Sequence, residues 1–313
     1  AILPIAACAQ AFPAKPLRVI IPFQPGSTLD VVGHLTAGKM EEALGQKVVV
    51  EFMGGGNGVV GAQYVARSSA DGYTLLLTTP SSQITPVFLL RSVPYDPRKD
   101  FTPIVANVEP VTCLSVSPAL PVAGMKELVE LAKKSPGKLS FASSGNGSVF
   151  HLMGEQVNRA AGVETVHVPY KNAAQALPDV SSGQPEMVYS ACNNVRPFMA
   201  SGKLKVIAQF LPSGFAGRFA RFPDVPSVTE TLPAYQKPPS WIAYFGPAGL
   251  PQPITARING EAVKAINAAD VKAKFEDAGL FSIGNSPEQF ATMYQAGFDI
   301  YAAAVKAAGL KPE

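Results

Sequence analysis

Cysteine, histidine, tryptophan and charge are all scarce in this chain of 313 residues. There are three cysteines, three histidines, one tryptophan, and only 16% of residues are charged. Cys8, Cys113 and Cys192 are far apart and odd in number, so the spacing offers neither a zinc cluster nor a disulfide framework. His34, His151 and His167 form no His-Glu-x-x-His pair, and the chain also lacks a Walker A lysine and a Gly-x-Ser-x-Gly elbow. No run approaches the ~18 apolar residues of a membrane-spanning helix. The net charge of +3 is spread along the chain, which argues against a nucleic-acid surface. What is plentiful is core material, at 47% hydrophobic, enough for one large domain or two ordinary ones.

The first residues, "AILPIAACAQA", are small and apolar, and Ala9-Gln10-Ala11 fits a signal-peptidase site. Residues 1–11 are therefore expected to be the remnant of an export leader. Cys8 in "IAAC" is an alternative, lipidated start, and an ordinary apolar arm is the third reading. Export implies a periplasmic location.

Three segments then repeat one grammar of β run, Gly/Ser/Pro loop and helix. They are "LRVIIPF-QPGST-LDVVGHLTAGKMEEALG", "KVVVEF-MGGGNG-VVGAQYVARSS" and "KLSFA-SSGNGS-VFHLMGEQVNRAAG". Continuous Val/Ile/Leu runs between helical patterns predict parallel strands covered on both faces, an α/β fold. Further strands are expected at "YTLLLTT", "FTPIVANV", "VTCLSVS", "ETVHVPY", "PEMVYSA" and "LKVIAQF". A helix near the C-terminus should break at Ala268–Ala269. Pro-punctuated stretches at "NVEPVTCLSVSPALP" and "YQKPPSWIAYFGPAGLPQP" suit crossings between two lobes. The expected division is 12–112 and 239–313 in one lobe and 113–238 in the other. A ligand would sit between them, outside the carboxyl ends of the strands.

Gly56-x-Gly58-x-x-Gly61 outlines a dinucleotide fingerprint, which leaves a nucleotide-dependent or hydrolytic enzyme as the alternative reading. The fingerprint is incomplete, because the next strand ends in Thr78, Thr79 and Pro80 instead of an acid. Ser148 and His151 are neighbours on one helix face, but no orienting carboxylate is close in sequence. Ser148 reads better as a helix cap, with His151 donating a hydrogen bond at the same end. "QPGST" and "SSGNGS" read instead as anion cradles, since helix N-termini carry unpaired N–H groups and partial positive charge. Ser27, Thr28, Ser143, Ser144 and Ser148 add hydroxyl donors. One cradle per lobe suits a dicarboxylate.

"FPAKPLRVIIPFQPGSTLD", "LGQKVVVEFMGGGNGVVGAQYVA", "DGYTLLL", "VPYDPRKDFTPI", "KLSFASSGNGSVFHLMGE", "VHVPYKN", "FPDVPSVTE", "FGPAGLPQPI" and "SPEQF" occur in this order over residues 12–313. In this the chain resembles the substrate-binding proteins of tripartite tricarboxylate transporters, the Bug receptors. The resemblance implies a two-lobed Venus-flytrap fold of the periplasmic-binding-protein type, with a hinge and an interdomain ligand cleft. It implies a receptor, not an enzyme, without cofactor or metal, acting as a monomer. Such a receptor would capture a small carboxylate and deliver it to the transporter's membrane subunits.

By position the resemblance places ligand contacts at Phe23, Gln24, Gly26, Ser27 and Thr28. A second set is Ser143, Ser144, Gly147, Ser148 and His151. Thr79, Ser81 and Ser82 would reach the cleft from one strand end, and Tyr170, Asn172, Ser190, Cys192 and Asn193 from the other side. Asp30 should hold the backbone N–H groups of its loop. Phe23, Phe150, Tyr170 and Tyr189 would supply apolar walls for an aromatic diacid of the phthalate type, or else belong to the core. The glycines at 54–61 would shape a turn at the cleft rim. Gln24 and Ser27 depart from the family's usual Pro and Gly, and Asn172 from its usual Gly. Neutral Ser190 and Asn193 stand where an acid is common, which argues against an amino-group ligand.

Overall fold

The computed structural model describes residues 12–212, 215 and 217–312. The leader remnant expected at 1–11, with Cys8 and Ala9–Ala11, lies outside them. The chain begins with β1 (Leu17–Ile21), α1 (Thr28–Leu44), β2 (Val48–Phe52), α2 (Val59–Ala66) and β3 (Thr74–Thr78). Two short helices follow, α3 (Pro80–Gln83) and α4 (Pro86–Leu89), before the long strand β4 (Phe101–Pro110). Next come β5 (Thr112–Val116), α5 (Met125–Lys134), β6 (Ser140–Ser143), α6 (Val149–Ala161), β7 (Val166–Pro169) and α7 (Ala173–Ser182). They are followed by β8 (Met187–Ala191), α8 (Cys192–Ala200), β9 (Lys205–Phe210) and α9 (Val228–Thr231). The last part is β10 (Ile242–Pro247), α10 (Gln252–Asn267), α11 (Ala269–Asp277), β11 (Leu280–Ser282) and α12 (Pro287–Ala307). The break between α10 and α11 falls at Ala268, whose extended backbone (ψ 134°) ends the helix where the sequence predicts it.

Among the described residues the strands form two sheets, ordered β11-β4-β10-β3-β1-β2 and β7-β6-β8-β5-β9. Each belongs to one lobe of a two-lobed α/β fold. The Val/Ile/Leu runs are buried as expected: Leu17, Val19, Ile20 and Ile21 of β1 and Leu75–Leu77 of β3 have no exposed surface. The sheets are mixed, however, not parallel. β10 runs antiparallel to both β3 and β4, and β5 antiparallel to both β8 and β9. Both are strands that arrive from the other lobe, so they enter their sheets from the opposite end. Among the described residues, no helix is long and apolar enough to cross a membrane.

The two crossings are clamped together. Lys237 donates to Glu109 (2.9 Å) and to the Pro110 carbonyl (3.2 Å), and Ser240 donates to the same Glu109 oxygen (3.0 Å). Glu109 closes β4, while Lys237 and Ser240 lie on the return segment. Burial pushes the Lys237 ammonium below its ordinary pKa, and the Glu109 carboxylate opposes that shift. At the surface, Arg196 of α8 (2.9 Å) and Arg221 (2.7 Å) both pair with Asp277 at the end of α11.

One expectation from the sequence is corrected here. Cys113 on β5 and Cys192 at the head of α8 form a disulfide across a separation of 79 residues. Antiparallel pairing of β5 with β8 sets Cys113 opposite Ser190, two residues before Cys192, so sheet registry brings the sulfurs together. The bond ties the start of α8 to the strand that enters from the first lobe.

Replacing Lys237 with Met should cost about 3–5 kcal/mol, because Glu109 would stay buried without its cation. Chemical denaturation measures this; a Lys237→Met/Glu109→Gln double variant should lose less than the sum of the two single changes.

Candidate functional site

Strand-to-helix turns put helix N-termini at the carboxyl ends of strands. In this molecule five of them face one small cavity of about 100 Å³ between the lobes. α1 contributes Ser27, Thr28 and Leu29; α3 contributes Thr79 and Ser81; α6 contributes Val149 and Phe150. α7 adds Asn172 and Ala173, and α8 adds Ala191 and Asn194. Ser240, Ile242 and Pro110 of the crossing segments complete the wall.

The hydroxyls of the first lobe are placed to donate. Ser27 stands at the N-cap of α1 in extended conformation, yet its side chain makes no cap bond and its buried Oγ has no partner in the protein. An N-cap serine ordinarily accepts from the first helical turn; here the Asp30 N–H bonds the Ser27 carbonyl instead (3.0 Å), and the Ser27 hydroxyl is left without a partner. Gly26 N–H donates to Asp30 (2.9 Å), which holds the loop shape as the sequence predicts. Thr79 Oγ accepts from Ser81 N–H (3.3 Å), leaving its own proton for the cavity.

A larger outer vestibule of about 880 Å³ adjoins the cavity, and Phe23, Gln24, Ser144 and Lys171 line both. The glycines of the apparent fingerprint serve this partition. A Cβ on Gly54 would strike the Gln24 amide at 2.8 Å, one on Gly58 the Phe23 ring at 3.1 Å, and one on Gly61 Pro22 at 2.7 Å. The Gly loop is thus the floor on which residues 22–24 lie. Asn57 reaches across the cleft to donate to the Asn146 carbonyl (3.1 Å). Leu89 of the first lobe also presses against Gly147 of the second.

In the second lobe the loop at 143–148 rests on two imidazoles. His151 and His167 stack face to face, with centroids 3.6 Å apart and planes at 10°. His167 Nε2 bonds Ser143 Oγ (2.6 Å), and Gly147 N–H donates to His151 Nδ1 (3.0 Å). His151 therefore accepts at the loop, where the sequence predicts donation; its N–H is left on Nε2, 3.7 Å from Glu155. Ser148 caps α6 through the His151 backbone N–H (3.2 Å). Asn172 caps α7 through Ala174 N–H (2.9 Å), which leaves its amide NH2 free.

The residues expected from the sequence divide into lining and support. Phe23, Gln24, Ser27, Thr28, Thr79, Ser81, Ser144 and Asn172 line the inner cavity, and Gly147, His151 and Tyr170 the vestibule. Gly26, Ser82, Ser143, Ser148, Ser190 and Asn193 line neither. Ser82 is buried against Thr78, Ser143 against His167, Ser148 in its cap, and Ser190 on its own strand. Asn193 turns its Oδ1 into the protein, where it has no partner. Cys192 is corrected outright, since its sulfur is bonded to Cys113. Tyr189 belongs to the core, packed edge-on to Phe141 and Phe210. Burial and its bond to Asp179 (2.7 Å) push the Tyr170 hydroxyl up to about 12.

Lys171, Asn194 and Ser240 are lining residues that the sequence reading omits. Lys171 sits between two expected positions and was legible as the cation of "PYKN". Asn194 and Ser240 carry no local signal. No Asp or Glu lines either cavity among the described residues, while Lys171 and Lys311 do. Nor do the described residues contain a His/Cys/Asp/Glu group fit to hold a metal.

Comparison with known proteins gives the following. The sequence profile of the tripartite tricarboxylate transporter family receptor (TctC) matches residues 32–310. Protein BugT of Bordetella pertussis is 31% identical over 283 residues, covering 90% of this chain and 85% of BugT. Rpa4515 of R. palustris, solved with adipate, superposes with a TM-score of 0.89 at 29% identity, over 96% of this chain and all of that one. MatC from Rhodopseudomonas palustris, with bound malate, superposes with a TM-score of 0.84 at 28% identity, over 94% of this chain and all of that one.

The histidine stack predicts an acid limb in stability. Burial, reinforced by His151, lowers the His167 pKa from 6.5 to about 3. Between those values the unfolded chain binds a proton that the folded chain refuses, so stability is complete above the upper value and falls as pH drops towards the lower. Thermal unfolding from about pH 7 to about pH 4 should show the midpoint declining, and His167→Gln should flatten that decline.

Proposed function

The chain belongs to the tripartite tricarboxylate transporter receptor family, whose members are periplasmic solute-binding receptors, and from that premise we propose that it captures a small dicarboxylate by closure of its two lobes. One observation carries the reading: five helix N-termini meet at a cavity whose lining, among the described residues, contains no acid. The N-termini of α1, α6, α7 and α8 present unpaired N–H groups and partial positive charge, whereas the four-residue α3, with Pro80 at its start and Ser81 N–H bonded to Thr79, contributes hydroxyls. A carboxylate replaces the water those donors would otherwise bind.

In this reading one carboxylate lies against Ser27, Thr28, Thr79, Ser81, Ser144 and Asn172. The other extends past Gln24 and Phe23 towards Lys171, an exposed cation with no carboxylate within ion-pair reach among the described residues. Phe23 and Phe150 provide apolar wall on the inner side, which suits a short aliphatic chain or a phthalate-type ring. Adipate and malate, bound to the two R. palustris neighbours, are both dicarboxylates. We place the lobes at 12–112 with 239–313, and at 113–238. Closure selects the liganded form because only the closed lobes offer both sets of donors at once. The receptor would work as a monomer in the periplasm and hand its ligand to the membrane subunits of a tripartite transporter.

A thermal-shift panel of aliphatic and aromatic dicarboxylates, tricarboxylates, amino acids and NAD tests this. A ligand at about a hundred times its Kd adds roughly 2.7 kcal/mol, so one dicarboxylate class should raise the midpoint by several degrees. Ser27→Ala and Ser144→Ala should each weaken that ligand by about 1.5–3 kcal/mol without unfolding the protein. A shift with NAD alone overturns the reading, and unchanged affinity in both variants overturns the placement of the carboxylate.

A further inference from the structure

Three polar groups of the inner cavity keep a proton to donate. Ser27 Oγ has no partner, Thr79 Oγ accepts from the backbone and keeps its proton, and the Asn172 carbonyl is occupied by its cap, leaving NH2 to donate. Ser240 differs. It is 5% exposed, lines the cavity, and donates its proton to Glu109 (3.0 Å). A carboxylate only accepts, and this oxygen of Glu109 also receives Lys237 (2.9 Å), so the direction of the Ser240 proton is set by the crossing clamp. The lone pairs of Ser240 Oγ remain for the cavity. A ligand atom meeting them must bring a proton of its own, because a bare carboxylate oxygen or a methylene there leaves a buried acceptor unsatisfied.

We propose that Ser240 is a specificity-determining residue that selects hydroxylated dicarboxylates, with the ligand hydroxyl donating to Ser240 Oγ while its carboxylates meet the helix N-termini. An ammonium could also donate, but it would face the positive ends of α1, α6, α7 and α8 and Lys171, with no acid among the described lining residues. A hydroxyl brings the proton without the charge. The inference rests on the receptor reading above and narrows its substrate class.

The test is calorimetric titration of the full chain with matched four-carbon acids: malate, in both enantiomers, against succinate and aspartate. One enantiomer of malate should bind about tenfold more tightly than succinate, the worth of one well-made hydrogen bond. In Ser240→Ala that preference should fall to within about twofold, through weaker malate and tighter succinate binding, because the unsatisfied acceptor that penalises succinate is gone. Ser240→Cys, which keeps the volume but accepts poorly, should behave alike, and the wild-type comparison needs no variant to fold. Succinate equal to both malates, aspartate above malate, or a preference that survives both substitutions overturns the assignment while leaving carboxylate capture standing. Binding of none of these acids, together with no response to any carboxylate in the wider panel, overturns both readings.

Discussion

The structure depends on one constraint: the first turn of every helix leaves backbone N–H groups that something must satisfy. Right-handed strand–helix connections put those turns at the carboxyl ends of the strands. With two such sheets facing each other, α1 and α3 from one lobe meet α6, α7 and α8 from the other. The cavity between them is electropositive before any side chain is considered. That positive polarity is therefore a property of the chain's topology, and the side chains refine it. The uncapped Ser27 is the clearest case, since its buried hydroxyl forgoes the cap bond that an N-cap serine ordinarily makes.

The lobes are joined by crossings that are themselves part of the site. β4 carries Glu109 to the point of exit, and the return segment carries Lys237 and Ser240 back against it. This buried pair costs desolvation and is worth keeping only where geometry matters. It fixes the relative path of the two crossings and the orientation of a hydroxyl on the cavity wall. Two layers further out, the stacked histidines hold the second-lobe loop by its ends, Ser143 and Gly147. The shape of that loop is thus tied to two stacked imidazoles of its own lobe.

The glycines at 54–61 show how a motif can mislead. Their spacing matches a nucleotide fingerprint because both uses need the same property, backbone without Cβ at a strand–helix turn. Here the atoms approaching the glycines belong to Pro22, Phe23, Gln24, Met53, Val60 and Ser82, and no phosphate is needed to explain them.

Much of the fold was legible in sequence because burial on both faces of a strand writes itself as unbroken Val/Ile/Leu runs, and because turn residues mark where helices begin. The two lobes, the strand-to-helix loops at 24–28 and 143–148, the structural part of Asp30 and the break at Ala268 all follow from local pattern. Strand direction did not follow, since β5 and β10 read like their neighbours and are reversed only by arriving from the other lobe. The disulfide was equally silent: Cys113 and Cys192 meet because β5 pairs with β8 in one particular register. Which hydroxyls face the ligand was decided in the same way. Ser27, Ser143, Ser148 and Ser190 are alike as letters, yet only Ser27 reaches the cavity, because the others find partners within their own lobe. Residue type and order determined the elements and the charge preference of the site. Tertiary packing alone decided which atoms were left unpaired, because a hydrogen bond is satisfied by neighbours in space and not by neighbours in the chain.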